Sequence, residues 1–517
     1  MDQGARIRKN IKYAVAGELL LAALKFISRR VFVLMLGREY LGLNGLFTDV
    51  LSMLSLAELG FSVSITYSLY RPVAQGDTEL IKSLIRLYRR VYWTVGLVVL
   101  AVGLSLTPFL RFFVKEMPRD IPHIPLIYVL NLANASVSYF FAYKSTLLFV
   151  HQKKYVETAI RAGVSLAATG AQIGVLVLTR NYLYYLFLAI AATVVQNAAV
   201  SWNADRLYPY LREKDVRPLP AEVLTELRRN VRAMLLHRIG AVAVFNTDNL
   251  LISKFVGVAA AGLYSNYMMI RGFLNILVSA LFDAITPALG NLTATQPEEH
   301  GRTAFRRLNF FSAWLFGWMS ICLFCLYDPF IDIWLGQGYL LSRPAVLLIV
   351  LNFYVNSMRI PVNNTKSVLG LFWDDRYKSI LEAVFNLVLS VLLARRWGVA
   401  GILTGTLIST LAFPFWCEPL VLHRRGLRIS PWTYFAGYGA HLAVTAAAGG
   451  LTWLLCRPAG GGFGWFLWRC LLCVLVPNGV YLIVYRKTEE LTFFKREGRT
   501  VLKRLLQGPD ACGGPTE

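Results

Sequence analysis

Apolar residues fall in runs of about twenty along nearly the whole chain, and short segments carrying most of the charge separate them. A helix rises ~1.5 Å per residue, so each run can cross a hydrocarbon core ~30 Å thick. Fourteen segments can be drawn, near residues 11–36, 43–69, 91–113, 124–149, 156–178, 183–204, 231–256, 262–289, 308–327, 344–370, 379–394, 400–421, 432–456 and 465–485. Barrel strands need only about ten residues, and in lipid only helices and closed barrels satisfy their own backbone groups. The pattern therefore predicts an all-α integral membrane protein with about fourteen transmembrane helices.

Composition removes the alternatives. Of 517 residues, 56% are hydrophobic and 16% charged, against roughly 25% charged in an ordinary soluble domain. A soluble enzyme, a disordered scaffold and a secreted disulfide protein are all excluded. The net charge of +23 suggests nucleic acid until its distribution is read. With the N-terminus in the cytoplasm, inner segments hold 31 of the 53 Lys and Arg and outer loops eight. That is the asymmetry of a multi-pass membrane protein with both termini cytoplasmic, and no nucleic-acid partner is expected. The opening MDQGARIRKN and the long apolar run after it read as the first span, not a cleaved signal. Cys322 and Cys325, and Cys470 and Cys473, form CxxC pairs within apolar runs, where they read as small lipid-compatible side chains.

The chain resembles itself at an offset of 220 residues. Arg8–Asn10 (RKN) returns as Arg228–Asn230 (RRN), Leu36–Gly37 as Val256–Gly257 and Gly42–Leu43 as Gly262–Leu263; Glu79, Lys82 and Arg86 return as Glu299, Arg302 and Arg306. The offset spans six helices, an even number, so the two copies enter the membrane in the same direction, as parallel repeats do. The expected organisation is an N-lobe over 1–204 (helices 1–6), a basic cytoplasmic linker over 205–229 and a C-lobe over 230–422 (helices 7–12). Helices 13 and 14 follow over 423–485, then a basic cytoplasmic tail over 486–517.

Charges of both signs fall within the drawn spans, with cations in excess. A charge at a helix centre costs ~3 kcal/mol on the lenient insertion scale, so most must face other helices or water. Glu18, Lys25 and Arg29 share one stripe of the first helix, with Arg30 beside it. Asn352, Asn356, Arg359, Asn363 and Lys366 line one face of the tenth helix at steps of four and three. Asn131, Asn134 and the adjacent Lys144 answer them on the fourth, and Arg271 leads a polar row on the eighth that ends at Asp283. One reading is helix–helix glue, each cation met by a neighbouring acid. The other is a shared, water-filled, net-positive cavity of Lys25, Arg29, Arg30, Lys144, Arg271, Arg359 and Lys366, lined by those asparagines. Such a cavity suits an anionic head group, because the planar Arg fork donates two parallel hydrogen bonds to phosphate. Glu18, Asp49, Glu58, Asp248 and Asp283 are the candidates for coupling to H⁺ or Na⁺. No catalytic or metal site and no cofactor are expected.

The strings LGREYLGLNGLF, LSLAELG and LYRPVAQGD, and FIDIWLG at Phe330–Gly336, resemble polysaccharide-biosynthesis (O-antigen type) flippases of the multidrug/oligosaccharidyl-lipid/polysaccharide exporter superfamily. The resemblance implies a MATE-like fold in a bacterial inner membrane. It also implies that undecaprenyl-diphosphate-linked oligosaccharide crosses to the outer leaflet by alternating access, with membrane lipid, glycosyltransferases and a polysaccharide polymerase as partners. A lipid II flippase for peptidoglycan would share nearly every feature. A cation-coupled multidrug antiporter would want a cavity dominated by carboxylates. A membrane-embedded polymerase or transferase is disfavoured, because the six histidines form no metal-spaced pair and the outer loops are too short for a catalytic domain.

Overall fold

The computed structural model describes residues 3–497, apart from 55, 117, 119, 152, 214, 226, 228–230, 232–246, 372, 373, 376 and 459. Arg228–Asn230 of the repeat, Ser55, Arg238 and most of the basic tail lie outside the described residues, as do the side chains of Lys12, Glu18, Glu58 and Ser62. Among the described residues there is helix and no strand. Nine helical stretches there are long and apolar enough to cross a bilayer. Their outward faces carry large apolar side chains, with Leu178 84% and Ile483 68% exposed, a distribution that suits lipid and would be untenable in water.

The chain packs as two compact units, residues 1–273 with 387–402, and residues 274–386 with 403–517. Residues 247–273 pack with the N-terminal helices in the first unit. The first unit holds α1 (Gln3–Leu36), α2 (Arg38–Leu54), α3 (Leu56–Gln75), α4 (Thr78–Leu106), α5 (Ile124–Tyr139), α6 (Ser145–Val150), α7 (Lys154–Thr179), α8 (Tyr182–Leu207), α9 (Thr247–Phe255) and the start of α10 (Val258–Thr295). Asp77 caps α4 by accepting from the Leu80 amide at 3.0 Å, after a turn at Gly76 with φ +71°. This is the RPVAQGD segment, and Asp at an N-cap satisfies a donor the helix cannot. At the core of the unit Phe47 meets Tyr128 edge-on at 5.2 Å, and the Tyr128 hydroxyl donates to the Gly103 carbonyl at 3.0 Å.

Helices α2 and α10 cross at two glycines. A Cβ on Gly42 would overlap the Val258 carbonyl, and one on Gly262 would overlap the Arg38 carbonyl. Because 258 and 262 lie 220 residues after 38 and 42, the two contacts are reciprocal: each glycine meets the counterpart of the other's neighbour. The reciprocity continues inward. Arg29 reaches Ser265, the counterpart of Gly45, and Asn249, the counterpart of Arg29, sits against Gly45.

The second unit holds α11 (Glu298–Leu335), α12 (Arg343–Ser357), α13 (Ile360–Val368), most of α14 (Lys378–Ala412), α15 (Pro414–Val421), α16 (Pro431–Cys456) and α17 (Phe463–Val484). The expected span 344–370 is two helices. Pro361 has no N–H for the Ser357 carbonyl, and α12 ends at that residue. Helix α14 is an antiparallel hairpin turning at Gly398, φ +56°. Its arms are joined by Thr410 to Glu382, Asn386 to Thr406 and Ser390 to the Ile402 carbonyl, bonds of 3.0–3.1 Å. The arms cover the segment expected over 379–394 and the first part of that over 400–421, whose remainder is α15. Phe282, stacked on Phe316 at 5.8 Å, and Tyr354, Tyr434 and Tyr438 form the main core of this unit.

Candidate functional site

In the first unit, one stripe of α1 opens onto a cavity of about 570 Å³ whose wall includes Lys25, Ser28, Arg29, Asn44, Tyr185 and Ser265. The i, i+4 spacing of Lys25 and Arg29 puts both on this wall. The Arg29 guanidinium is half-buried and donates to Ser265 Oγ at 3.2 Å. Among the described residues no carboxylate lines the cavity, and none pairs with Lys25, Arg29, Arg30 or Arg271. An aromatic surface lies beside the guanidinium. Phe32 meets Tyr182 and Tyr185 edge-on at 5.4 and 5.5 Å, and Tyr182 donates to Asn44 Oδ1 at 3.0 Å. Arg30 is exposed and is not part of this wall. Arg271 lies one helical turn from Met268, a wall residue, and its Nε is buried without a hydrogen-bond partner.

Lys144 goes elsewhere. It lines a second cavity of the first unit, about 600 Å³, with Lys82, Arg86, Arg89 and Tyr143. There it pairs with Asp205 at 2.6 Å, and Lys82 pairs with Glu79 at 2.5 Å and with Glu213 of the linker at 2.6 Å. Asn131 donates back to the Ile127 carbonyl, and Asn134 accepts from Thr193, so neither amide lines the first cavity.

In the second unit the polar stripe of the tenth span meets acids. Arg359 donates to both oxygens of Glu418 at 2.8 and 3.0 Å, and lies 3.5 Å from Glu382. Asn363 and Lys378 also donate to Glu418, Asn356 accepts from Arg359, and Lys366 pairs with Asp375, which Lys378 shares. Three cations meet three carboxylates, and the side chain of Glu418 is only 1% exposed. Asn352 is buried and donates to the Leu348 and Leu403 carbonyls. For Arg359 and Lys366, and for Lys144, the geometry is therefore the ion-paired arrangement, where the sequence led us to expect surplus positive charge. The acids responsible come from helices distant in sequence, and spacing along one helix does not reveal them.

Of the acids named for ion coupling, Asp49 is half-buried and accepts from Asn249 Nδ2 at 2.6 Å. Asp248 is half-buried at the start of α9, and Asp283 is exposed. Ser265, Tyr182 and Tyr185 were missed from sequence. Their signals were the counterpart position of Ser265 in the 220-residue repeat and the YLYY cluster opening α8.

The geometry can now be set beside known proteins. Residues 141–344 match the model of a family described as polysaccharide biosynthesis protein. The fold is similar to that of a lipid II flippase, MurJ, solved in an inward closed conformation: TM-score 0.59, 12% identity, covering 90% of this chain and 99% of that one. This fold is also that of solved transporters of the MOP superfamily. The same fold appears in a multidrug resistance MATE family transporter of that superfamily in its inward-facing conformation, with TM-score 0.58, 14% identity, 78% of this chain and 96% of that one. A MATE transporter of Vibrio cholerae gives TM-score 0.56 at 14% identity, over 82% and 99% of the two chains. No curated protein matches the sequence. The apolar helices and the shared fold make it a multi-pass, helical membrane protein.

Proposed function

We propose that this protein is a MOP superfamily flippase that moves an undecaprenyl-diphosphate-linked oligosaccharide from the cytoplasmic to the outer leaflet of a bacterial inner membrane, for surface polysaccharide. The observation that carries the reading is the cavity holding Lys25 and Arg29 with no carboxylate on its described wall. A diphosphate brings the negative charge that such a wall lacks, and an Arg fork matches its oxygens. The adjacent tyrosines suit sugar rings, and the lipid tail would stay in the bilayer. Both termini would be cytoplasmic, and glycosyltransferases and a polymerase would act before and after the transfer. The family match over 141–344 supports the polysaccharide substrate.

The chain would have fourteen spans built from two parallel six-helix repeats and two added helices. The reciprocal contacts of Gly42 and Gly262 support duplication. Coupling to H⁺ or Na⁺ would use Asp49, the acid held by Asn249. A carboxylate-lined antiporter cavity is disfavoured by the composition of this wall.

The likeness to MurJ favours one second reading, lipid II as the substrate. The deciding experiment measures which lipid-linked sugar reaches the outer leaflet, using a membrane-impermeant glycosidase on spheroplasts with and without the protein. Oligosaccharide trapped in the inner leaflet when the protein is absent supports the first reading. Oligosaccharide transfer unchanged, with lipid II trapped instead, replaces it with the second.

A further inference from the structure

The two CxxC pairs belong to one longer pattern, C-x-x-C-x-x-x-P, at Cys322–Pro329 on α11 and at Cys470–Pro477 on α17. In each, the proline stands four residues after the second cysteine and removes the N–H that would bond its carbonyl. The freed Cys473 carbonyl instead accepts from Trp318 Nε1 at 2.9 Å, with Cys322 Sγ at 3.8 Å. This cross-helix bonding ties α11 to α17 at the level of the second cysteines. Cys456, the last residue of α16, completes the group. The sulfurs of Cys325, Cys456 and Cys473 all lie within 4.8 Å of one another, and all three residues are buried. Among the described residues this is the one cluster of three or more His, Cys, Asp or Glu side chains close enough to share a metal ion.

We infer that Cys325, Cys456 and Cys473 form a binding site for a soft monovalent d¹⁰ cation, Cu(I) in a cell and Ag(I) as its laboratory analogue. The donor set is sulfur alone, which selects thiophilic metals over Mg²⁺, Ca²⁺ or Mn²⁺. A metal ~2.3 Å from three sulfurs in a trigonal plane needs them ~4.0 Å apart, so the thiols are within a small rotation of closing on it. Zn²⁺ would want four ligands. The shell of Ile321, Ala448 and Tyr481 is largely apolar, and burying net charge there is costly. A monovalent ion answers that cost. Binding releases one thiol proton to solvent, leaving one thiolate and two neutral thiol donors around Cu(I), with no net charge and no change in oxidation state.

The inference is independent of the transported substrate. Full-length protein in detergent, kept reduced, would be titrated with Ag(I) and with Cu(I) buffered by a competing chelator. The expected result is one equivalent bound with a thiolate-to-metal ultraviolet band. Cys325→Ser, Cys456→Ser and Cys473→Ser should each lose it, and Cys417→Ser should keep it. Metal-free melting confirms that each variant folds; if one does not, wild-type protein alkylated at these thiols replaces it. Binding by the wild type no greater than by the alkylated protein overturns the site. So does equal loss in Cys417→Ser, stoichiometric Zn(II) binding that excludes Ag(I), or a disulfide joining two of the three thiols in reduced protein.

Discussion

Gly42 and Gly262 sit at one helix crossing, each so close to the other helix that a Cβ would overlap a backbone carbonyl: that of Val258 for Gly42 and that of Arg38 for Gly262. Backbone cannot rotate aside as a side chain can, so overpacking here costs ~1–3 kcal/mol or forces the helices apart. Gly42→Leu and Gly262→Leu should each insert normally and lose most transport. Gly163→Leu, at a glycine with nothing within 4 Å, should transport normally. Leaflet-accessibility assays on matched membrane amounts check this, and normal transport by both crossing variants would remove the crossing from the mechanism.

Arg29 should matter to transport and little to stability. Among the described residues its hydrogen bond is to Ser265, and a charged hydrogen bond to a substrate phosphate is worth ~1.5–3 kcal/mol, or roughly ten- to a hundredfold in rate or affinity. Arg29→Ala should lower the rate of lipid-linked oligosaccharide transfer by about that factor. Arg29→Lys should recover part of it, because charge returns without the bidentate fork. An unchanged rate in Arg29→Ala would sink the cationic-cavity reading.

Glu418 should behave in the opposite way. It accepts from Arg359, Asn363 and Lys378, whereas Glu382 has Thr410 at 3.0 Å and Arg359 only at 3.5 Å. Removing one partner of a buried pair leaves the other charge stranded, at ~3–5 kcal/mol. Glu418→Gln should melt well below the wild type in detergent and Glu382→Gln less so. The double change Arg359→Met with Glu418→Met should recover part of the loss. Equal melting of the two single variants would show that the network does not carry stability.

The linker is held to the first unit by Lys82 on Glu213 and by Ser83 Oγ on the Arg217 carbonyl at 2.7 Å. Removing either bond loosens one of the two points at which the linker is held. Lys82→Ala should therefore speed trypsin cleavage at Arg212 and Arg217 several-fold. Cleavage at the wild-type rate would mean that the linker is held by other contacts.

Legibility followed the range of the interaction. The RPVAQGD turn was readable because a cap and the amide it serves are three residues apart. The stripe from Asn352 to Lys366 was readable as a polar face, because helical periodicity is local. What that face meets was not. Glu418 is 59 residues from Arg359, and Asp205 is 61 from Lys144; only folding brings them together. The break at Met358–Arg359 was missed although Pro361 marks it, because the run over 344–370 was read as one span by its length. The converging thiols were missed because each CxxC pair alone is an ordinary feature of an apolar span.

From its apolar periodicity and its Lys and Arg bias the sequence alone determined a helical, multi-pass membrane chain, since the bilayer punishes every unsatisfied backbone group and leaves no other economy of structure. The 220-residue echo was also legible, because it needs only the order of residues. Tertiary structure decided which of the cations within the spans meet a carboxylate and which do not. Arg29 and Arg359 look alike on their helices, but one faces a wall without carboxylates and the other lies in the grip of Glu418. The physical reason is that a charge in a low-dielectric interior is set by whatever stands within a few ångströms of it, and that neighbour comes from another helix.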